Sequence, residues 1–326
     1  MNRKNVIGIS IAIALAIILG TGIGLSFWGI GQWNNAGPLQ NSKIIIIPPG
    51  KGLSAISRQL EQEAAIGNRF VFMAGTFLQG AEKKLKPGEY EFGAYDSSSR
   101  IMQKIASGKT VQHRYTVIEG AMIADVLAQI AAMPNLTGDI KFRPNEGDIL
   151  PETYTYAYGD TRQGLIDQMT AAMQNLQKQI WDGRLADLPL RDWHDAITLA
   201  SIVEAETPID AERPRVAAVY INRLRIGMAL QADPTVEYAM ILLGKNLSKG
   251  LTYDHLKTAH PYNTYMVTGL PPGPIGNPGR KSIEAVLHPL ETKELYFVAD
   301  GKGGHVFSQT LAEHERNVKN WRKINR

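Results

Sequence analysis

The chain has 326 residues, which at about 150 per domain gives roughly two domains. Hydrophobic residues make up 44%, so neither wholesale disorder nor a polytopic membrane protein fits. Lys and Arg number 35 against 31 Asp and Glu, and a net charge of +4 is too thin to argue for nucleic acid. There is no cysteine, which excludes disulfide frameworks, Cys-ligated zinc, iron–sulfur clusters and thiol nucleophiles together. A chain without thiols also suits an oxidising compartment.

No charged residue stands between Lys4 and Lys43. Its apolar part, residues 6–28, spans about 34 Å as a helix, enough for a bilayer core of about 30 Å. Ser10, Thr21 and Ser26 can bond back to the helix backbone, and Trp28 and Trp33 stand at the far end, where aromatic rings favour the interface. A cleaved signal peptide would have a shorter apolar run and small residues where Phe27 and Trp28 stand, so a retained anchor is expected. Arg3 and Lys4 precede it and no cation follows closely. The N-terminus is therefore expected in the cytoplasm and the rest exported.

The expected organisation is a cytoplasmic stub and anchor over 1–33, a linker over 34–42, a small module over 43–118 and a larger domain over 119–326. Residues 43–47 are a β-branched run stopped by Pro48-Pro49-Gly50, read as a buried strand and a turn. Leu53, Ile56 and Leu60 recur at helical spacing, as do Phe70, Met73 and Phe77. A strand over 89–92, a helix carrying Ile101 and Ile105 and ending at Gly108, and a strand over 112–118 complete the module. Its strand–helix–helix–strand start resembles a LysM-type glycan-binding fold.

Beyond it, helices are predicted over 121–132 and along the stripe Leu165, Met169, Met173, Leu176 and Ile180, the methionines as core filler. Others follow over 192–204, over 214–226 before Gly227, and over 234–243 before Gly244. Strands over 295–299 and 305–308 flank a Gly-rich hairpin turn, and a basic helix from about residue 311 closes the chain. The fold class is therefore α+β: a single-pass transmembrane helix, a small LysM-like module and a larger mixed helix/strand domain.

The stretch over 196–208 is apolar almost all round until Glu204, so the helix should be buried. A carboxylate in its last turn meets the negative helix end and a low-dielectric environment, which favour the neutral acid a proton donor needs. The alternative is an ordinary helix-end carboxylate paired with Arg213, Arg215 or Arg223. Glu206, about 200° further round, is expected outside, near Pro208. Asp233 before Pro234 reads first as an N-cap. Tyr262 and Asn263, beside the rigid Pro/Gly loop 269–279, suit sugar hydroxyls and ring faces, or else the loop merely covers a sheet edge. The patch from Glu152 to Tyr156 admits a binding role or plain packing. Seven scattered histidines without HExxH argue against a metal site, and the P-loop, dinucleotide and Gly-x-Ser-x-Gly fingerprints are absent.

Five segments, taken together, resemble the endolytic murein transglycosylases, the MltG/YceG-like family. They are Leu199-Ala200-Ser201-Ile202-Val203-Glu204-x-Glu206-Thr207, Leu230-Gln231-x-Asp233-Pro234-Thr235-Val236, Tyr262-Asn263-Thr264-Tyr265, the loop 269–279, and the hairpin from Leu295 through Asp300-Gly301-x-Gly303-Gly304-His305 to Phe307. They occur in the family's order and, with the anchor and module, cover nearly the whole chain. Ala205 replaces the basic residue of better-known members.

The resemblance implies a lytic transglycosylase of the bacterial inner membrane, its catalytic domain periplasmic. It would cut nascent peptidoglycan between N-acetylmuramic acid and N-acetylglucosamine and thereby terminate strand elongation. The family's catalytic glutamate falls on Glu204, which would protonate the glycosidic oxygen and then serve as base for the muramic 6-hydroxyl, closing a 1,6-anhydro ring. Attack from within the substrate makes a second carboxylate dispensable. Gln231, Asp233, Tyr262, Asn263 and Glu152 are the expected sugar contacts. No metal or cofactor is implied. The implied partners are glycan strands and peptidoglycan synthases, not nucleic acid. Two other readings stay open: a hydrolysing muramidase with Asp233 as second carboxylate, and a non-enzymatic tether binding glycan through residues 43–118.

Overall fold

In the computed structural model, which describes residues 3–324, the chain starts with one long helix, α1 (Arg3–Asn34). Its segment Ala12–Asn34 is long and apolar enough to cross a membrane. The Thr21 hydroxyl donates to the Ile17 carbonyl and that of Ser26 to Gly22, both at 2.8 Å, which satisfies them inside an apolar helix. The side chains of Arg3 and Lys4, on which the expected orientation rests, lie outside the described residues.

The chain forms two units by contact, residues up to His113 with Tyr156–Gly159, and Arg114–Thr155 with Asp160 onward. In the first, β1 (Lys43–Ile47) leads through α2 (Leu53–Gln62) and α3 (Arg69–Leu78) to β2 (Gly88–Phe92) and α4 (Ser98–Ser107). β1 and β2 pair antiparallel, with Ile45 opposite Tyr90 and Ile47 opposite Gly88. Ile45 and Ile47 are buried while Ile44 and Ile46 face out, so the run expected to be a buried strand covers the core with one face only. Ile56, Leu60, Phe72, Tyr90, Phe92, Ile101 and Ile105 fill the interior.

Three further expectations are corrected in this unit. Trp33, expected at a membrane interface, is buried against Phe72, and its ring fills the place a Cβ on Gly75 would occupy. Expected as a linker, residues 34–42 are folded: Leu39 is buried, and the Tyr95 N–H donates to its carbonyl at 2.8 Å. The third concerns α3, whose inward residues are Phe72 and Thr76. Phe70 and Phe77, read from their spacing as a helical stripe, point outward at 64% and 68% exposure.

The strands β3 (Gln112–Thr116) and β4 (Thr153–Ala157) pair with each other, and in them the chain passes from one unit to the other and back. In the second unit α5 (Ile123–Ala132) precedes β4. Next come α6 (Arg162–Ile180), α7 (Trp193–Glu206), α8 (Arg213–Arg225), α9 (Asp233–Leu242), the short α10 (Tyr253–Leu256) and α11 (Arg280–Leu287). The hairpin β5 (Tyr296–Ala299) and β6 (His305–Ser308) and the helix α12 (Leu311–Ile324) finish it. α7 is the centre of this unit. Every residue from Asp195 to Val203 is buried, because α8, α9 and α11 pack around it. The Asp192 side chain caps its start by accepting the Asp195 N–H at 2.9 Å. Leu165, Met169, Met173 and Leu176 of α6 are buried, as their spacing predicts.

Candidate active site

At the end of α7 two carboxylates two residues apart meet opposite surroundings. Glu204 turns to Arg213 at the start of α8. The guanidinium meets it with both terminal nitrogens, at 2.9 and 3.1 Å, and the Gly279 N–H donates to the same carboxylate at 2.9 Å. The side chains of Arg213 and Glu204 are only 4% and 6% exposed, and Arg213 also bonds Ser282 at 3.0 Å. The Glu204 carboxylate is thus taken up by the Arg213 guanidinium and the Gly279 N–H. Expected as the proton donor, Glu204 forms a buried ion pair with Arg213, the pairing that the sequence left open beside that role.

Glu206 points the other way, into a cleft of about 330 Å³ that Tyr220 and Arg223 of α8, Gln231, Asp233, Tyr265, Tyr296, Phe297, Leu311 and His314 also line. It was expected outside the helix near Pro208, yet it is the last residue of α7. The Tyr220 hydroxyl donates to its Oε1 at 2.7 Å, and among the described residues no donor meets Oε2. Burial pushes its carboxyl up to about 7 and the charge of Asp233 adds to the rise, while the Tyr220 hydrogen bond, His305 and Arg223 oppose it. An acid half-protonated near neutral pH, with one oxygen anchored and the other open to a cleft, can give a proton to a leaving oxygen and take one back.

Gln231 and Asp233 do stand beside it. Gln231 adopts φ +50°, the left-handed region that disfavours side chains, and presents an exposed side chain to the cleft. Asp233 is not an N-cap: Ala232 holds that position, and Asp233 Oδ1 instead accepts the Tyr265 hydroxyl at 2.7 Å. Burial, and then this bond, keep the Tyr265 hydroxyl protonated. Asp233 thus lines the same cleft as Glu206.

The other expected contacts fall elsewhere. Asn263 is fully buried. Its amide donates to the carbonyls of Thr258 and Leu256 at 2.8 and 3.1 Å and its oxygen accepts the Tyr265 N–H at 3.0 Å, so it sets the turn that aims Tyr265. Tyr262, partly buried against the hydrophobic core, packs on Tyr238 with ring centroids 4.9 Å apart. Glu152 is exposed at the start of β4, its carbonyl accepting the Val117 N–H, and it does not line the cleft. The cleft residues to which the sequence reading gave no site role are Tyr220, Arg223, Tyr296, Phe297, Leu311, His314 and Tyr265. Tyr265, Tyr296 and Phe297 lie inside motifs already singled out, so the motifs were the signal for them.

Loop 269–279 is a clasp. The Ser201 hydroxyl accepts the Ile275 N–H at 3.0 Å, and Asn277 accepts from Gly147 while donating to the Ala121 carbonyl, both at 2.9 Å. A Cβ on Gly276 would stand 2.6 Å from the Gly120 carbonyl oxygen, which is why the close approach needs glycine. The β5–β6 hairpin is latched by Glu212, which accepts the His305 backbone N–H at 2.9 Å and lies 2.6 Å from its ring Nδ1. That latch fixes Tyr296 and Phe297 as aromatic walls, with His314 stacked on Tyr296 at 5.2 Å. Among the described residues no group of three His, Asp or Glu could hold a metal ion.

A buried, raised carboxyl under aromatic walls defines an acid–base cleft on an α+β scaffold, and the wider comparisons place that scaffold. The YceG-like family profile matches residues 45–320, and the chain belongs to this family. An endolytic murein transglycosylase of Bacillus subtilis is 32% identical over 308 residues, covering 83% of this chain and 82% of that protein. The enzyme of the same name from Streptococcus pneumoniae strain D39 is 35% identical over 177 residues, covering 53% of this chain and 31% of its own length. The crystal structure of a putative yceG-like protein from Listeria monocytogenes aligns with a TM-score of 0.52 at 32% identity, over 85% of this chain and 98% of that one.

Proposed function

We propose that this chain is a membrane-anchored lytic transglycosylase. It cuts nascent peptidoglycan between N-acetylmuramic acid and N-acetylglucosamine and leaves 1,6-anhydro-muramic ends. The observation that carries the reaction is Glu206, a carboxyl raised to about 7 and fixed by Tyr220 in the cleft. The substrate follows from the family and from the name of the Bacillus subtilis relative. Protonated Glu206 gives its proton to the glycosidic oxygen as the bond to C1 of the muramic sugar breaks. Asp233, in the same cleft, offsets the positive charge growing on that ring. Glu206, now a carboxylate, takes the proton of the 6-hydroxyl while its oxygen closes onto C1, so the acid is restored without water entering. Tyr296 and Phe297 offer ring faces to sugars, and Gln231 an amide to their hydroxyls.

The anchor in this reading is α1, with the N-terminus cytoplasmic, the catalytic part periplasmic and the cut close to the membrane. The strand–helix–helix–strand order of residues 43–92 supports a LysM-like glycan-holding role for the module 43–118. Strand termination beside peptidoglycan synthases follows from the family alone.

Asp233 also favours a second reading, hydrolysis with Asp233 activating water, because both carboxylates line one cleft. Mass spectrometry of peptidoglycan digested by the full chain in detergent separates the two. Anhydro ends, one water lighter than reducing ends, support the proposal, and reducing ends overturn it in favour of hydrolysis. Anhydro ends should vanish with Glu206→Gln and persist with a folded Glu204→Gln protein. The reverse pattern would return the acid to Glu204.

A further inference from the structure

The spacing of Phe70 and Phe77 has no place in the first unit's core and none in the cleft. On α3 they form, with Ala74 and Leu78, a stripe at helical spacing that faces away from the unit's core, with Phe70, Phe77 and Leu78 exposed by 64%, 68% and 84%. Phe72 and Thr76, on the opposite side, are fully buried, so the helix is apolar on both faces and only one is used. What adjoins the unused face is α1. A groove of about 710 Å³ runs between the two helices, lined by Leu25, Trp28 and Trp33 on one side and Phe70, Val71 and Leu78 on the other.

We propose that this face of α3 is seated in the lipid interface, so that the first unit is held to the bilayer by one helix that crosses it and a second that lies in its surface. This rests on the reading that α1 spans a membrane. Leu25, Trp28 and Trp33 belong to the segment Ala12–Asn34 that is long and apolar enough to do so. The rise from Leu25 to Trp33 is about 12 Å, and a hydrocarbon core of about 30 Å takes about 20 residues. A span entering near residue 6 therefore leaves the core near Leu25, and one entering near Ala12 leaves it near Gly31. In either case α3 flanks the turns where α1 emerges, within the depth of about 5–10 Å at which interfacial helices bury an apolar face. Cations fit the same placement. The Arg69 guanidinium lies 4.7 Å over the Phe70 ring, and the exposed Lys83 and Lys84 follow Leu78 closely, where they can reach anionic headgroups. The occupant is the acyl and headgroup region of the leaflet from which α1 emerges.

The chain has no cysteine, so single labels go in cleanly. Leu78→Cys, Phe77→Cys, Leu19→Cys in α1 and Leu185→Cys in the second unit each receive an environment-sensitive fluorophore. The full chain is then placed in phosphatidylethanolamine–phosphatidylglycerol vesicles, with and without brominated acyl chains. Labels at 77 and 78 should be quenched by brominated lipid and be about tenfold less accessible to iodide than the label at 185, as expected for groups below the headgroups. A label at 78 as open to iodide as that at 185, with 19 quenched by bromine, overturns the proposal and leaves the span intact. A label at 19 that bromine does not quench overturns the span itself. Labels at 77 and 78 shielded from iodide but untouched by bromine mean a protein occupant and also overturn it.

Discussion

Replacing Glu206 by Gln should make the protein more stable, and only on the alkaline side. Burial raises this carboxyl from an ordinary 4.5 to about 7, so the folded chain holds the proton more tightly than the unfolded chain does. Below pH 4.5 both forms are protonated and the group costs nothing. As pH climbs toward 7 the unfolded chain ionises freely while the folded one resists, and above 7 the folded state bears the whole penalty. A shift of that size, at about 1.4 kcal/mol per pH unit, corresponds to about 3 kcal/mol. Glutamine cannot ionise, and its carbonyl still accepts from Tyr220. The variant should therefore match the parent at pH 4 and exceed it at pH 8 by about 3 kcal/mol, or about 6–12 °C in Tm for a unit of this size. Thermal unfolding can be followed through the near-ultraviolet signal of Trp181 and Trp193, which pack edge to face at 5.9 Å in the same unit. A stability difference that is the same at pH 4 and pH 8, or a parent more stable than the variant at pH 8, would refute the assignment of a buried acid at this position.

Glu204→Gln should do the opposite, losing about 2–4 kcal/mol at pH 7 in urea denaturation, because the buried Arg213 loses its closest counter-charge and keeps only the longer contacts to the more exposed Glu119 and Asp210. Tyr220→Phe removes a donor that holds Glu206 down, so the alkaline limb of the rate profile should move upward by about half a pH unit to one unit. An unmoved limb in a pH series of glycan release would dissociate Tyr220 from the acid. Gln231→Gly relieves a left-handed side-chain conformation and should raise stability by about 0.5–1 kcal/mol while slowing turnover. Equal or faster release from that variant would mean that the amide touches no sugar.

Much of the scaffold was legible because its cause is local. Leu165, Met169, Met173 and Leu176 repeat at helical spacing and are buried, and Gly108 ends α4 with the positive φ expected of glycine at a helix end. The different surroundings of Glu204 and Glu206 have a physical origin as well. α7 is surrounded on every side, so its residues carry no periodicity that tells which flank of its last turn opens to solvent. That is decided by Arg213 and Tyr220, two residues of the next helix seven positions apart, which claim one carboxylate each. Asp233 shows a different failure: Pro234 fits a helix start, but a tyrosine 32 residues later competes for the side chain. Phe70 and Phe77 show a third, since an apolar stripe marks a surface that avoids water without saying whether protein or lipid covers it.

Trp33 seated against Gly75 makes the last turn of α1 a part of the first unit's own interior. A helix joined in that way transmits torque. With α1 in a bilayer, this unit could neither pivot on a flexible tether nor spin independently of its stem, and any tilt it took would be a tilt of the whole span against the lipid. Its freedom would reduce to gliding in the membrane plane and turning about one axis. A side chain at position 75 that pushed Trp33 out would restore the missing joint, turning a fixed mast into a swinging one at the cost of a single buried ring.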